Sequence, residues 1–117
     1  MTFGLLEGSE GDRAMRDPID ALQTWYAEQC DGEWEHQFGV KIETIDNPGW
    51  IVEIDLTGTN LSSATLPEMV EERSATDWIR CSATHRSFKG IGGPRNLLEI
   101  LERFLAWAKA GTASTET

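Results

Sequence analysis

The pattern of apolar and polar positions first predicts a helix that begins at Asp17-Pro18. An aspartate at the N-cap followed by proline at the first helical position is a frequent helix start. Apolar residues then recur at helical spacing: Ile19, Leu22 and Trp25 or Tyr26. The turn-forming pair Asp31-Gly32 indicates that this helix ends near Cys30.

Two segments of strict alternation follow, and each is typical of a strand with one buried face. The inner positions are Trp34, His36, Phe38, Val40 and Ile42 in the first strand, and Trp50, Val52, Ile54 and Leu56 in the second. The segment 47–49, Asn-Pro-Gly, fits a three-residue hairpin loop between them. This loop places Lys41 opposite Asp55 and Glu43 opposite Glu53 on the outer face. Because two facing carboxylates destabilise a ladder, that pair indicates a surface retained for binding.

The second half of the chain begins with weaker signals and ends with a clear helix. Residues 66–72 favour a weak third strand or a short helix, and 77–85 alternate as a further strand. The glycine-rich segment 90–94 is interpreted as a chain break. Asn96 is a candidate N-cap with Glu99 reaching back to it. A wide apolar stripe follows, at Leu97, Leu98, Ile100, Leu101, Phe104, Leu105, Trp107 and Ala108.

These elements predict an α+β fold: an antiparallel sheet of about four strands, with an N-terminal and a C-terminal helix packed on one face. We expect a single domain over residues 17–110, after a flexible N-terminal tail at 1–16. Gly111 is expected to end the last helix and to begin a disordered tail at 111–117.

Charge narrows the choice of partner. Twenty acidic residues against ten basic ones give a formal net charge of −10. From Asp17 to Glu72 there are thirteen acids and one base, Lys41, whereas Arg73 to Ala110 contains seven bases and three acids. An acidic protein repels nucleic acid and anionic membranes, and it attracts basic proteins. Acidity also serves solubility alone, so charge by itself leaves both interpretations open.

The expected cellular location rests on the absence of targeting and membrane-spanning segments from the sequence. No apolar run has the form of a signal peptide or the length of a membrane span. We therefore expect a cytoplasmic protein in which Cys30 and Cys81 stay reduced.

Several reactive side chains are crowded together, at Cys30, Asp31, Glu33, Glu35 and His36. A strand would send Glu35 and His36 to opposite faces, and no second Cys/His pair completes a tetrahedral set, so no metal or cofactor is predicted. His36 is interpreted as a core or boundary histidine rather than a general base. Trp78, beside Arg80, is either an exposed anchor for a partner or part of a second small core.

The chain resembles the immunity protein 53 family of bacterial polymorphic-toxin systems. The resemblance lies in Trp25-Tyr26, Gln29-Cys30-Asp31-Gly32, Trp34-Glu35, Gly39-Val40, Asp46-Asn47-Pro48-Gly49-Trp50, Asp55-Leu56, Asp77-Trp78, Cys81 and the final apolar helix. It covers about residues 19–108. The resemblance implies a binding protein, not an enzyme, that neutralises a cognate toxin domain.

Many toxins of such systems are nucleases with basic clefts, which an acidic surface can occlude. The predicted partner-binding residues are Glu33, Glu35, Glu43, Glu53, Asp55 and Trp78. The alternative function is a small enzyme that uses His36 and the neighbouring carboxylates.

Overall fold

A computed structural model describes the backbone of residues 17–116 and the side chains of residues 17–110. The predicted tail at 1–16 lies outside the described residues. The elements in chain order are α1 (Pro18–Gln29), α2 (Trp34–Gln37), β1 (Val40–Ile45), β2 (Gly49–Asp55), β3 (Leu66–Ser74), β4 (Asp77–Ala83), β5 (Ser87–Gly92) and α3 (Leu97–Glu116).

The described strands form one sheet in the order β1-β2-β5-β4-β3, and every neighbouring pair is antiparallel. The α+β class and the antiparallel sheet are therefore confirmed, but the described residues form five strands where about four were expected. The additional strand is β5, which lies at the centre of the sheet and includes part of the segment interpreted as a chain break. The ambiguous segment that begins at Leu66 is a strand, not a helix.

Glycines allow β5 to occupy the centre. Gly90 and Gly92 lie on the side of β5 that faces α3, and a Cβ at Gly90 would collide with the Ile100 side chain. A Cβ at Gly92 would come within 2.9 Å of the Trp78 carbonyl oxygen. The same residues that interrupt the apolar pattern therefore permit close packing of strand and helix.

The core lies between the sheet and the long helices. Helix α3 packs against β2, β4 and β5, and α1 packs beside it. Phe104 of α3 makes edge-to-face contacts with Trp25 of α1 at 5.2 Å and with Phe88 of β5 at 5.1 Å, measured between ring centroids. Aromatic pairs in this geometry contribute about 1 kcal/mol beyond their area burial. Trp50 and Trp107 are partly buried at the margin of this core.

The start of α1 is confirmed in atomic detail. The Asp17 side chain accepts hydrogen bonds from the backbone N–H groups of Ile19 and Asp20, at 3.1 and 3.2 Å. Pro18 occupies the first turn, where its missing N–H has no partner to lose.

The first alternating segment does not form one strand, and this part of the prediction was wrong. Trp34–Gln37 forms the short helix α2, and β1 begins only at Val40. The Asp31 carboxylate explains the helical turn, because its Oδ1 accepts hydrogen bonds from the N–H groups of Glu33 and Trp34, both at 2.9 Å. This carboxylate caps the first turn, and Trp34 buries its ring while donating Nε1–H to the Thr57 carbonyl.

The register of the β1–β2 hairpin also differs from the prediction. Ile45 pairs with Gly49, so the loop has three residues as expected but consists of residues 46–48. This shift of one residue at the loop moves the pairing by two. Glu43 consequently lies opposite Ile51, and Lys41 lies opposite Glu53. The predicted repulsion between Glu43 and Glu53 and the predicted Lys41–Asp55 pair are therefore both wrong.

Helix α3 begins directly after Asn96 with Glu99 reaching back to that residue, as predicted, but it ends later than predicted. The Asn96 amide is also used across elements: Oδ1 accepts from Trp78 N–H, and Nδ2 donates to Asp77 and Glu99. At the other end the helix continues past Gly111 to Glu116. Within the described residues, no helix has the length and apolar character needed to cross a bilayer.

Candidate partner-binding surface

The side of the sheet opposite α3, here called the outer face, presents one side chain from every strand in a continuous row. The register aligns Glu43, Ile51, Ile91, Arg80 and Val70 across β1, β2, β5, β4 and β3. Ile51 and Ile91 are half-buried, and Val70 is 44% exposed. Because the described long helices contribute to the core on the other side, this row is open to a partner.

A shallow cleft lies at one end of the outer face. It has a volume of about 690 Å³, and its lining includes Asn47, Glu72, Trp78, Arg80 and Ile91. Trp78 is half-buried and projects on the same side as Arg80, so its ring forms part of the cleft wall. Tryptophan and arginine are among the residue types most enriched where a few side chains dominate the binding energy of a protein interface. Of the two interpretations of Trp78, the anchor is the one that this position favours.

The charges of the outer face are mixed and do not form the acidic sheet that the sequence predicted. Glu53 lies between Lys41 of β1 and Lys89 of β5, with 3.7 Å between its Oε2 and Lys89 Nζ. Arg80 Nε lies 3.5 Å from Glu68 Oε2. The Glu53–Lys89 and Glu68–Arg80 pairs are exposed, and such pairs contribute little to stability. These pairs place positive and negative charges in alternation beside the apolar side chains of the outer face.

The six predicted partner-binding residues divide into two groups. Glu43, Glu53, Asp55 and Trp78 belong to the outer face. Glu33 and Glu35 do not, because the segment expected to be a strand forms the turn before α2 and α2 itself. The structure therefore brings four of the six residues together and places the other two elsewhere.

Glu35 has an internal role in this turn. Its two carboxylate oxygens accept hydrogen bonds from the N–H groups of Asp31 and Gly32, at 2.9 and 2.8 Å. Hydrogen bonds from backbone amides lower the pKa of Glu35, and those from Trp34 and Glu33 lower the pKa of Asp31. Gly32 adopts a φ of +94°, which glycine tolerates without a steric penalty. The spacing of Asp31 and Glu35 around a turn was the sequence signal for this reciprocal arrangement.

His36 also lies away from its expected position. It was interpreted as a core or boundary histidine, but on α2 it is exposed. The neighbouring Glu35 carboxylate is already engaged by two backbone amides. Within residues 17–110, no group of three or more His, Cys, Asp or Glu side chains is arranged to hold a metal ion.

A polar cluster on the side of α3 links the helix to the β3–β4 hairpin, and sequence analysis did not find it. Arg73 of β3 donates to Glu71, Asp77 and Glu99, and Arg103 of α3 donates to Glu71 and Glu99. Hydrogen bonds to Asp77 and Glu99 raise the pKa of Arg73, and the hydrogen bond from Arg73 lowers the pKa of Asp77. Glu99–Arg103 has the i,i+4 spacing of a helical ion pair, whereas Arg73–Asp77 has the same spacing across the β3–β4 hairpin, where it is not a helix signal. Because each charged group of the cluster is paired within it, we interpret the cluster as a structural link between α3 and the β3–β4 hairpin.

The two cysteines, Cys30 and Cys81, are not joined in a disulfide. Cys81 is buried beneath α3, and this burial raises the pKa of its thiol to about 11. A thiol of this kind is a poor nucleophile at neutral pH.

Sequence similarity identifies the family of the chain. The model of one family, immunity protein 53, matches residues 19–109. No curated protein and no solved structure shows a significant match to the chain. The matched span contains the five described strands, α2, α1 from Ile19 onward and α3 as far as Lys109. The chain therefore belongs to the immunity protein 53 family.

Proposed function

We propose that this protein neutralises a cognate toxin domain by stoichiometric binding, and that the outer face is its binding surface. Family membership makes the protein an immunity protein with a toxin as its partner. The observation that supports the outer face is the open row of Ile51, Ile91 and Val70 beside Trp78 and Arg80. This row combines an apolar centre with charged flanks, as protein interfaces do.

Net charge supports a basic target. The formal charge of −10 creates a field that accelerates the approach of a basic surface, even where the contact region itself carries mixed charges. Nuclease domains present basic clefts because they bind phosphates, so a nuclease toxin in the cytoplasm is the target class we favour. In this proposal the acidic field steers the encounter, and the apolar row and Trp78 hold the complex.

The rival function, an enzyme based on His36, receives no support from the geometry. His36 is exposed, and the neighbouring carboxylate, Glu35, accepts hydrogen bonds from two backbone amides. A general base needs a positioned partner and a site that holds substrate. Binding without turnover is therefore the better account of this chain.

The test is a growth-rescue assay with the cognate toxin domain, combined with titration calorimetry of the purified pair. Trp78→Ala and Arg80→Glu should each weaken binding by about tenfold or more and reduce rescue. Leu98→Ala is the matched control, because Leu98 is 54% exposed on α3, on the opposite side of the sheet. His36→Ala should rescue normally and bind with the same one-to-one stoichiometry. Full rescue and unchanged affinity with folded Trp78→Ala and Arg80→Glu would refute the outer face as the binding surface.

A further inference from the structure

The two edges of the sheet are protected to very different degrees. The β3 edge contains Pro67 and two register irregularities, between Leu66 and Met69 and between Glu72 and Ser74. Proline and bulges are devices by which proteins prevent an edge from pairing with another chain. Strand β1 at the opposite edge contains no proline, and its pairing with β2 is unbroken from Val40 to Ile45.

The free hydrogen-bonding groups of β1 can be assigned from the hairpin. Asp55 N–H donates to the Gly39 carbonyl at 3.0 Å, so residue 39 directs its backbone polar groups toward β2. In an antiparallel ladder successive residues alternate in this respect. Residues 41, 43 and 45 therefore also face β2, and the N–H and C=O groups of Val40, Ile42 and Thr44 point to the edge that no described strand covers.

An apolar groove lies along the same edge. It has a volume of about 400 Å³ and is lined by Ile19, Leu22, Gln23, Tyr26, Gly39, Val40 and Ile42. Three of its residues are large hydrophobic side chains left exposed: Ile19 at 56%, Tyr26 at 37% and Ile42 at 37%. A partner that paired with the edge of β1 left free by the described strands would also bury this apolar surface.

We infer that β1 pairs with β1 of a second copy of this chain, in an antiparallel register centred on Ile42. Val40 of each copy would then pair with Thr44 of the other, and Ile42 would pair with Ile42. These pairs satisfy the outward backbone hydrogen-bonding groups of β1. Ile42 would meet Ile42 of the other copy, next to the two apolar grooves. The five-stranded sheet would become a continuous sheet of twice that size.

Charge selects this register over its neighbours. Lys41 and Glu43 are exposed on the outer face, on either side of Ile42. With the centre at Ile42, Lys41 of each copy lies opposite Glu43 of the other, and both pairs are attractive. The smallest shifts that keep the outward backbone groups paired move one strand by two residues along the other. One of these shifts places Lys41 opposite Lys41, and the other places Glu43 opposite Glu43. The strand is thus self-complementary in one register. The pairing leaves both outer faces open, so it is compatible with the proposed toxin-binding surface.

Sedimentation velocity of the full chain across a wide range of protein concentration tests the inference, with Glu43→Lys as the main variant. The wild type should show a monomer–dimer equilibrium. Glu43→Lys places lysine opposite Lys41 of the other copy, so dimerisation should weaken by about tenfold or more. Glu43 faces Ile51 within its own chain, so the variant breaks no cross-strand ion pair of the fold.

The charge-swapped variant Lys41→Glu/Glu43→Lys is the decisive arm. It restores two attractive pairs across the seam and should recover the dimer, although it places a carboxylate at position 41 opposite Glu53 within each chain. Lys109→Glu, an exposed charge reversal on α3, should leave the dimer unchanged. A wild type that stays monomeric at every concentration overturns the inference, and so does a dimer that Glu43→Lys leaves intact. A monomeric wild type whose toxin binding is lost in Glu43→Lys overturns pairing between copies, but that loss would support the outer face as the toxin-binding surface, since Glu43 belongs to its row.

Discussion

Asp55 holds Gly39 at two points: its N–H donates to the Gly39 carbonyl at 3.0 Å, and its Oδ2 accepts from the Gly39 N–H at 2.9 Å. These bonds join the end of β2 to the residue before β1 and extend the hairpin beyond its regular ladder. Asp55 was predicted to contact a partner, but its carboxylate is already used within the fold. We therefore expect Asp55→Ala to lower the free energy of unfolding by about 1 kcal/mol, measured by urea denaturation.

Asp55→Asn is the matched control, because its amide oxygen can still accept from the Gly39 N–H. It should lose less stability than Asp55→Ala, and both variants should bind the toxin once folded. An Asp55→Ala protein of unchanged stability that no longer binds toxin would show that the carboxylate contacts the partner directly.

The helices were predictable from the sequence because their signals are local. The carboxylate of Asp17 and the ring of Pro18 act within one turn of the helix they start, so the interactions that define the start of α1 are close in sequence. The apolar stripe of α3 is equally local, since one face of a helix repeats every three or four residues.

The segment 34–38 shows why alternation alone failed. Trp34 and Phe38 satisfy the two-residue period of a strand, and they also stand four residues apart, as one turn of helix requires. The Asp31 side chain decides between the two by bonding to the N–H groups of Glu33 and Trp34. Competition between a side-chain cap and a strand ladder is invisible to a pattern of apolar positions.

The site was less predictable than the fold because it depends on register. The hairpin loop has three residues, as expected, but its position by one residue decided whether Glu53 would face Glu43 or Lys41. Strand β5 then placed Lys89 on the other side of Glu53. The position of Lys89 depends on the pairing of β2 with β5, which are far apart in sequence, and no local pattern encodes such a pairing.

Gly90 provides a test of the packing between β5 and α3. A Cβ at this position would overlap the Ile100 side chain and lie 3.2 Å from the Phe88 ring. Both neighbours are fully buried, so they have little room to move. We expect Gly90→Ala to lower the free energy of unfolding by about 2 kcal/mol in urea denaturation.

Gly39→Ala is the control for the same chemical change in open space. No atom lies within 4 Å of a Cβ built at Gly39, and its φ is not in the left-handed region. Its stability should be unchanged or slightly higher, because alanine restricts the unfolded chain. Equal stability of the two variants would mean that α3 does not approach β5 at Gly90 as described.

Acid should destabilise the protein through its capping and paired carboxylates. Backbone hydrogen bonds lower the pKa values of Asp31 and Glu35 in the folded state, and the hydrogen bond from Arg73 lowers the pKa of Asp77. At Glu99 desolvation is the largest single contribution and raises the pKa, but the hydrogen bonds and charges of its partners outweigh it. A lowered folded-state pKa contributes stability that is present above the ordinary value of about 4 and is lost as the pH falls through the lowered value. The melting temperature should therefore be steady near neutral pH and should fall below about pH 4.

The variant Glu35→Gln distinguishes the contribution of the turn before α2 to the acid sensitivity from that of the polar cluster on α3. It removes one titrating group, so its melting temperature should lie below that of the wild type near neutral pH and should converge with it in acid. Arg73→Gln should act in the same way through Asp77 and Glu99, which lose a donor. If the melting temperature of each variant stays below that of the wild type by the same amount down to about pH 2, these carboxylates do not cause the acid sensitivity.

Glu53 gives the sharpest test of the observed hairpin register. If it lay opposite Glu43, its neutralisation would relieve a repulsion and stabilise the sheet. In the structure it lies between Lys41 and Lys89, so Glu53→Gln should lower the free energy of unfolding, by no more than about 1 kcal/mol because the groups are exposed. Added salt should shrink the difference from the wild type. Glu102→Gln, an exposed change of the same charge on α3, is the control for net charge. A gain in stability for Glu53→Gln alone would contradict the register and restore the facing carboxylates that the hairpin loop first indicated.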